Sequence, residues 1–217
     1  MNNHNAYNLT KPFKKGLSRT IIFLVVSMMG IGNAWADTWD GKTMYTTIAT
    51  ANIKGTGDID DPYIIDNANK FVAFGTLANS DTKYWKLTVD INLGGYEWPY
   101  SGNNAKTFQG HFDGDNHIVS NYTITPINKK ANGLFGTVKG NNATTGRAEI
   151  KNLKIDDVTI NTTTDLGSTT YIGSLIGNVS QYVDLKNVQI IDVDNNKTTV
   201  SITLDNLTGN CYIGGLI

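Results

Sequence analysis

An all-β solenoid of stacked strands and turns, with one short helix near its N-terminal end, is the fold class the sequence predicts. The first observation is a repeat: Asn132-Gly133-Leu134-Phe135-Gly136, Tyr171-Ile172-Gly173-Ser174-Leu175-Ile176-Gly177 and Tyr212-Ile213-Gly214-Gly215-Leu216-Ile217 follow one pattern. Gly133, Gly173 and Gly214 stand 40 and 41 residues apart, a period typical of units that bury their apolar faces on one another. The second observation is the motif apolar-x-Asn-x-x-apolar within residues 118–124, 150–155 and 185–190. Its alternation is that of half-buried strands. Asn at equivalent bends tolerates left-handed backbone angles and can stack its amide into a ladder, while the glycines permit tight steps between strands.

The N-terminal residues are set apart from this fold. Lys11, Lys14, Lys15 and Arg19 precede an apolar run over 21–31, and Ala34-Trp35-Ala36 supplies a small-residue cleavage site. That arrangement is a secretory signal peptide cleaved after Ala36, with an apolar run too short to span a bilayer. Without its four basic residues the chain carries 14 basic and 19 acidic side chains, a formal charge of −5. Such a balance argues against nucleic acid as a partner, and no membrane span is expected after cleavage. Cys211 is the one cysteine, so no disulfide forms within the chain, and the residue reads as a small buried hydrophobe.

The expected order of elements runs from a lead-in and first strand (37–66) through a capping helix (67–79) to the solenoid (80–217). Gly55-Thr56-Gly57-Asp58-Ile59-Asp60-Asp61-Pro62 is a turn-rich loop before the strand Tyr63-Ile64-Ile65, where the folded part is expected to start. Ala68, Phe71, Val72, Phe74 and Ala78 make a helical stripe with Asp66 placed to cap it. A helix there would cover the apolar end and open edge of the first coil. Residues 84–91 alternate as one strand with Trp85, Leu87, Val89 and Ile91 inward. Residues 108–118 read as strand, Asp-Gly turn, strand. Loops are expected at 94–106, 139–148, 161–170 and 192–199.

Taken in order, Gly55-Thr56-Gly57 to Pro62-Tyr63-Ile64-Ile65, the helix, Leu87-Thr88-Val89-Asp90-Ile91-Asn92-Leu93, Trp98, Phe108-x-Gly110-x-Phe112-Asp113-Gly114 and the Gly-Leu-Phe-Gly steps resemble the GLUG-repeat family of secreted bacterial surface proteins. The resemblance covers residues 37–217. It implies a right-handed parallel β-helix of the kind used in adhesin-like stalks and in regions accompanying secreted proteases, and it does not imply catalysis. Two departures stand out: the units carry long inserts at 139–148 and 161–170, and the third step lacks its final glycine. The chain is therefore expected to be a fragment of a longer protein or a truncated reading frame.

Several clusters invite a chemical reading. His111, Asp113, Asp115 and His117 alternate as acid–base or metal-binding groups would, yet Asp113-Gly114 is an ordinary turn pair, and the turn reading outweighs the chemical one. Asp58, Asp60 and Asp61 are weak calcium candidates beside a solvated turn before Pro62. Asp192-Val193-Asp194-Asn195-Asn196 fails the EF-hand pattern because Lys197 and Thr203 stand where Gly and Glu are needed. Tyr96, Trp98 and Tyr100 are candidates for stacking on sugar rings.

Catalysis finds less support. Arg147 is the single arginine after residue 36, Glu97 and Glu149 are the two glutamates, and Asp156-Asp157 point opposite ways along a strand. The Asn-x-Ser/Thr sequons follow from an Asn- and Thr-rich composition. The chain is thus expected to be a non-enzymatic, secreted or cell-surface module without a cofactor. It would touch glycan or host protein through the loops at 94–106, 139–148 and 161–170, and self-associate through an uncapped final coil. The competing readings are a β-helical polysaccharide lyase or hydrolase, for which Asp113, Asp115 and Arg147 are the catalytic nominees, and the non-catalytic region of a larger protease.

Overall fold

A computed structural model describes residues 37–45, 47–78, 82–100, 107–127, 130–162, 165–166, 169–193, 200–204 and 211–217. The expected signal segment lies outside them. The remainder is mostly β, with one short helix, and residues 36–217 make one compact unit. In chain order the elements are β1 (Asp37–Thr38), β2 (Tyr63–Ile65), α1 (Ala68–Leu77), β3 (Tyr84–Leu87), β4 (Ile91–Asn92), β5 (Thr107–Phe108), β6 (His111–Asp113) and β7 (Ile118–Ile124). They continue with β8 (Ala131–Asn132), β9 (Thr137–Val138), β10 (Ala148–Thr162), β11 (Thr170–Gly173), β12 (Asn178–Val179), β13 (Val183–Ile190), β14 (Val200–Leu204) and β15 (Cys211–Gly214).

Every pairing between these strands is parallel. The large sheet holds two ladders joined along β10. One runs β2–β3–β6–β10–β13 and the other β1–β4–β7–β10–β14. Two smaller sheets run β8–β11–β15 and β5–β9–β12. From β6 onward the chain visits the first ladder, the second ladder, the β8 sheet and the β5 sheet, then returns to the first ladder and repeats the order. Inward side chains consequently stack in columns: Tyr63, Trp85, Phe112, Ile150 and Leu185 form one, and Ile91, Val119, Ile155 and Ile190 another. Burying each large aliphatic side chain contributes roughly 1.5–3 kcal/mol, which favours this single register over a slip that would turn the columns outward.

The asparagine bends are present, with one change in their bookkeeping. Asn121, Asn152 and Asn187 all have positive φ, at 56°, 51° and 51°. Asn187 donates its amide to Asn152 at 3.1 Å, and Asn152 donates to Asp113 at 3.0 Å. Asn121 belongs to the next bend, however, because Ser120 pairs with Asp156 and Tyr122 with Val158, which sets it beside Asp157. Four residues, Gly114 to His117, occupy the corner that Asn152 and Leu153 alone turn in the following passage. Asn116, at φ 66°, takes the corresponding left-handed place there. The Asp-Gly pair therefore opens a corner between two strands of the same direction, with no hairpin.

The glycine steps stack as their spacing predicts. Gly173 pairs with Gly214, and Tyr171 and Ile172 pair with Ala131 and Asn132, which brings Gly133 alongside. Asn132 is wholly buried; its carboxamide oxygen accepts from Ile127 N–H and its amide donates to the carbonyls of Ile127, Lys130 and Tyr171.

Other expectations need correction. The described fold reaches the core before Tyr63: β1 pairs with β4, and Trp39, Ala51 and Ile53 are buried. The outer edge of β2 is covered by Lys54, whose carbonyl accepts from Ile64 N–H at 2.9 Å. The helix instead buries Phe71, Val72, Ala73 and Phe74 against core aromatics. Its N-cap is Asn67, which accepts from Lys70 N–H at 2.9 Å, while Asp66 pairs with the Lys70 ammonium at 2.6 Å. The 84–91 strand is broken after Leu87; Trp85, Leu87 and Ile91 are buried, and Val89 at the bend is half-buried. Ala148, Asn161, Thr162 and Thr170, expected in loops, are strand residues.

The last passage differs from those beneath it. Ile202 and Ile213 sit in register on the buried Ile160 and Ile172, yet they are 39% and 46% exposed. Cys211 is a free thiol, half-buried in β15, and burial raises its pKa.

Candidate functional site

The outward side chains of the first ladder converge on a groove of about 420 Å³. Strand alternation aims Tyr84 and Lys86 of β3, His111 and Asp113 of β6, and Glu149 and Lys151 of β10 away from the core. The parallel register then sets Tyr84, His111 and Glu149 in one row and Lys86, Asp113 and Lys151 in the next. Ile59 and Pro62, from the turn before β2, form one wall. Tyr84 and His111 stack with centroids 4.2 Å apart and planes 6° from parallel.

The charges in and around the groove are paired along the stack. Lys86 meets Asp115 at 3.1 Å, Lys151 meets Glu149 at 3.3 Å and Asp113 at 3.8 Å, and Lys186 meets Glu149 at 2.6 Å. Arg147 donates to Asp184 through Nε at 2.8 Å and Nη2 at 2.5 Å, tying β10 to β13. Burial works to raise the Glu149 pKa, but the hydrogen bonds and charges of Lys186 and Lys151 outweigh it and the carboxyl ends below its ordinary value. Burial also lowers the His111 pKa, against the pull of the nearby Glu149 charge.

These shifts make the fold acid-sensitive. Asp184 is lowered by its hydrogen bond from Arg147, Asp58 by that from Lys83, and Asp40 to about 2 by the Thr43 hydroxyl and backbone N–H groups. A carboxyl with a depressed folded pKa contributes stability above its unfolded value, and that contribution is lost as pH falls through the folded one. Asp156 is raised by burial and acts in the opposite sense. Because His111 is held below 6.5, the fold favours its neutral form, and that preference begins to cost stability once pH drops under the unfolded value. Tm is therefore expected to slip slightly below pH 6.5 and to fall mainly between pH 4.5 and about 2; a Tm flat across that lower window would contradict the pairings.

The sequence candidates are dispersed. His117 Nδ1 lies 2.9 Å from Asp90, a separate pairing from the His111–Tyr84 stack, and Asp113 and Asp115 meet different lysines. Trp98 is 1% exposed and donates Nε1–H to the Leu134 carbonyl at 2.9 Å, so its face is unavailable to a sugar. Tyr100 packs edge-on against Trp98 and its hydroxyl meets that of Thr76. Tyr96 is exposed, beside Trp39, and the three form no common platform. Asp58 contacts Lys83 and Thr56, and Asp61 accepts from Thr56 N–H. Asp60 is exposed, and among the described residues no group of three potential ligands converges on a metal position. Asp194, Asn195 and Asn196 lie outside the described residues. Asp156 accepts from Asp157 N–H at 2.9 Å.

Sequence reading missed Tyr84, Glu149, Lys151 and Lys186 as members of one surface. Their signal was present as outward positions in three strands, β3, β10 and β13, but it becomes a site only once the register is known.

No family model and no solved structure matches the chain. A protein described as a Gly-rich membrane protein from Evansella cellulosilytica is 27% identical over a 150-residue alignment that covers 63% of this chain and 15% of that protein. Halomucin from Haloquadratum walsbyi is 28% identical over a 144-residue alignment that covers 61% of this chain and 2% of that protein. The chain thus spans a small part of the relatives it matches. Among the described residues no helix is long and apolar enough to cross a membrane.

Proposed function

We propose that residues 37–217 form a right-handed parallel β-helix of GLUG type that serves as a secreted or cell-surface adhesive module, contacting glycan or host protein. The observation that carries this reading is the in-register return of the chain to the same ladders, with Gly133, Gly173 and Gly214 aligned. A stack of that kind presents long ordered faces to an extended partner. The names of the two relatives, a membrane protein and halomucin, fit a surface location, and export through a signal peptide cleaved after Ala36 fits with it.

The test is to express the full chain with its leader, recover the exported form, immobilise it and measure retention of bacterial and host polysaccharides and of host surface proteins. An N-terminus at Asp37 and saturable retention without shortening of the polymer are expected. Shortened chains or new unsaturated ends would support the competing lyase or hydrolase reading, and retention of no polymer and no host protein would remove adhesion.

A further inference from the structure

We propose that the groove between the 59–62 turn and the outward side chains of β3, β6 and β10 binds an uncharged stretch of a carbohydrate chain, with a sugar ring packed on the Tyr84–His111 step. This rests on the adhesive reading above and supplies its ligand class and its site. At about 420 Å³ the groove falls within the roughly 300–1,000 Å³ usual for small-ligand sites. Both members of the stacked Tyr84–His111 pair line the groove and are half-buried, which gives it an aromatic surface. The apolar wall opposite includes Ile59, a large side chain that is 68% exposed. Aromatic and aliphatic surfaces of this kind suit the C–H face of a pyranose.

The polar lining selects against charge. Two lysines, Lys86 and Lys151, and two carboxylates, Asp113 and Glu149, border the groove, and all four take part in the ion pairs described above. An anionic ligand would meet the two carboxylates, and a cationic one the two lysines. A hydroxyl both donates and accepts, so a polyhydroxyl ligand can accept from an ammonium and donate to a carboxylate without breaking their pairing, through charge-assisted hydrogen bonds. The second aromatic pair, Tyr171 on Tyr212 at 5.2 Å, borders a groove lined by apolar and amide residues without a charged side chain. It lacks those hydroxyl partners and serves as the control.

Calorimetric titration of the exported chain with cellohexaose, maltohexaose, mannohexaose and hexagalacturonate tests the assignment. At least one neutral hexasaccharide is expected to bind more tightly than hexagalacturonate. Tyr84→Ala and His111→Ala should each weaken that binding about tenfold, while Tyr212→Ala leaves it unchanged. If either alanine variant fails to fold, His111→Phe, which keeps an aromatic face, should retain binding. In the unmodified chain the ring protons of Tyr84 and His111 should shift on titration, whereas those of Tyr212 should not. Preference for hexagalacturonate, binding of none of the four, or ring signals that stay in place would overturn the proposal. Polysaccharide retention that survives Tyr84→Ala and His111→Ala would remove the groove and leave the adhesive reading standing, whereas loss of all retention by the unmodified chain would remove the adhesive reading itself.

Discussion

Phe74→Ala is expected to destabilise the protein by about 3–5 kcal/mol, the range for truncating a buried aromatic side chain. Phe74 of α1 is 3% exposed and meets five other rings: Phe112 at 5.0 Å, Trp85 at 5.1 Å, Phe135 at 5.7 Å, and Phe71 and Phe108 at 5.8 Å. These rings come from β3, β5, β6, the helix and the first glycine step, so the void left by alanine cannot close by moving one element. A half-open pocket of about 30 Å³ borders Phe74. Trp85 and Phe112 are the inward neighbours of Tyr84, Lys86, His111 and Asp113, so the same truncation should loosen the groove from beneath. Denaturant unfolding followed by circular dichroism reads the effect. A loss below 1 kcal/mol would mean that the helix does not pack on the ladder as described.

Gly173→Ala is the second large effect, about 3 kcal/mol, at the upper end for an overpacked site. A Cβ at Gly173 would lie 2.2 Å from the Ile176 carbonyl oxygen and 3.1 Å from the Ile217 Cα, both backbone atoms that no rotamer change can move. The neighbouring passage is as tight, with a Cβ at Gly133 placed 2.6 Å from Gly177 N and one at Gly177 2.4 Å from Asn132 N. Close approach of backbones is the cause here, because the three aligned glycines do not have positive φ. Gly215→Ala supplies the comparison within the same motif. Nothing lies within 4 Å of a Cβ there, and the change should stay within about 0.5 kcal/mol. Equal losses at Gly173 and Gly215 in thermal unfolding would refute the steric account.

What the residues alone determined is the repeat and its local chemistry. The 40- and 41-residue spacing of Gly133, Gly173 and Gly214 marks stacked units, and in the structure these residues align. The asparagines of the apolar-x-Asn-x-x-apolar motif take left-handed angles, and the stripe from Ala68 to Ala78 forms a helix with a buried face. Each of these depends on backbone geometry or side-chain periodicity over a few residues, which is written locally in the chain.

Only the tertiary structure decided which passage lies on which. A two-residue difference at the corner after Asp113 places Asn121 beside Asp157 and not beside Asn152, a shift invisible to motif matching because both arrangements satisfy the same short pattern. Trp98 illustrates the same dependence: an aromatic in a loop is solvent-facing or buried according to what passes above it, and here the Leu134 carbonyl, 36 residues away, takes its indole N–H. The groove needs three strands from separate passages in one register before Tyr84, His111, Glu149 and Lys151 become neighbours. Inter-strand pairing is a long-range property whose free energy resides in contacts between distant residues, so the surface on which function is proposed emerged with the stack and not with any of its segments.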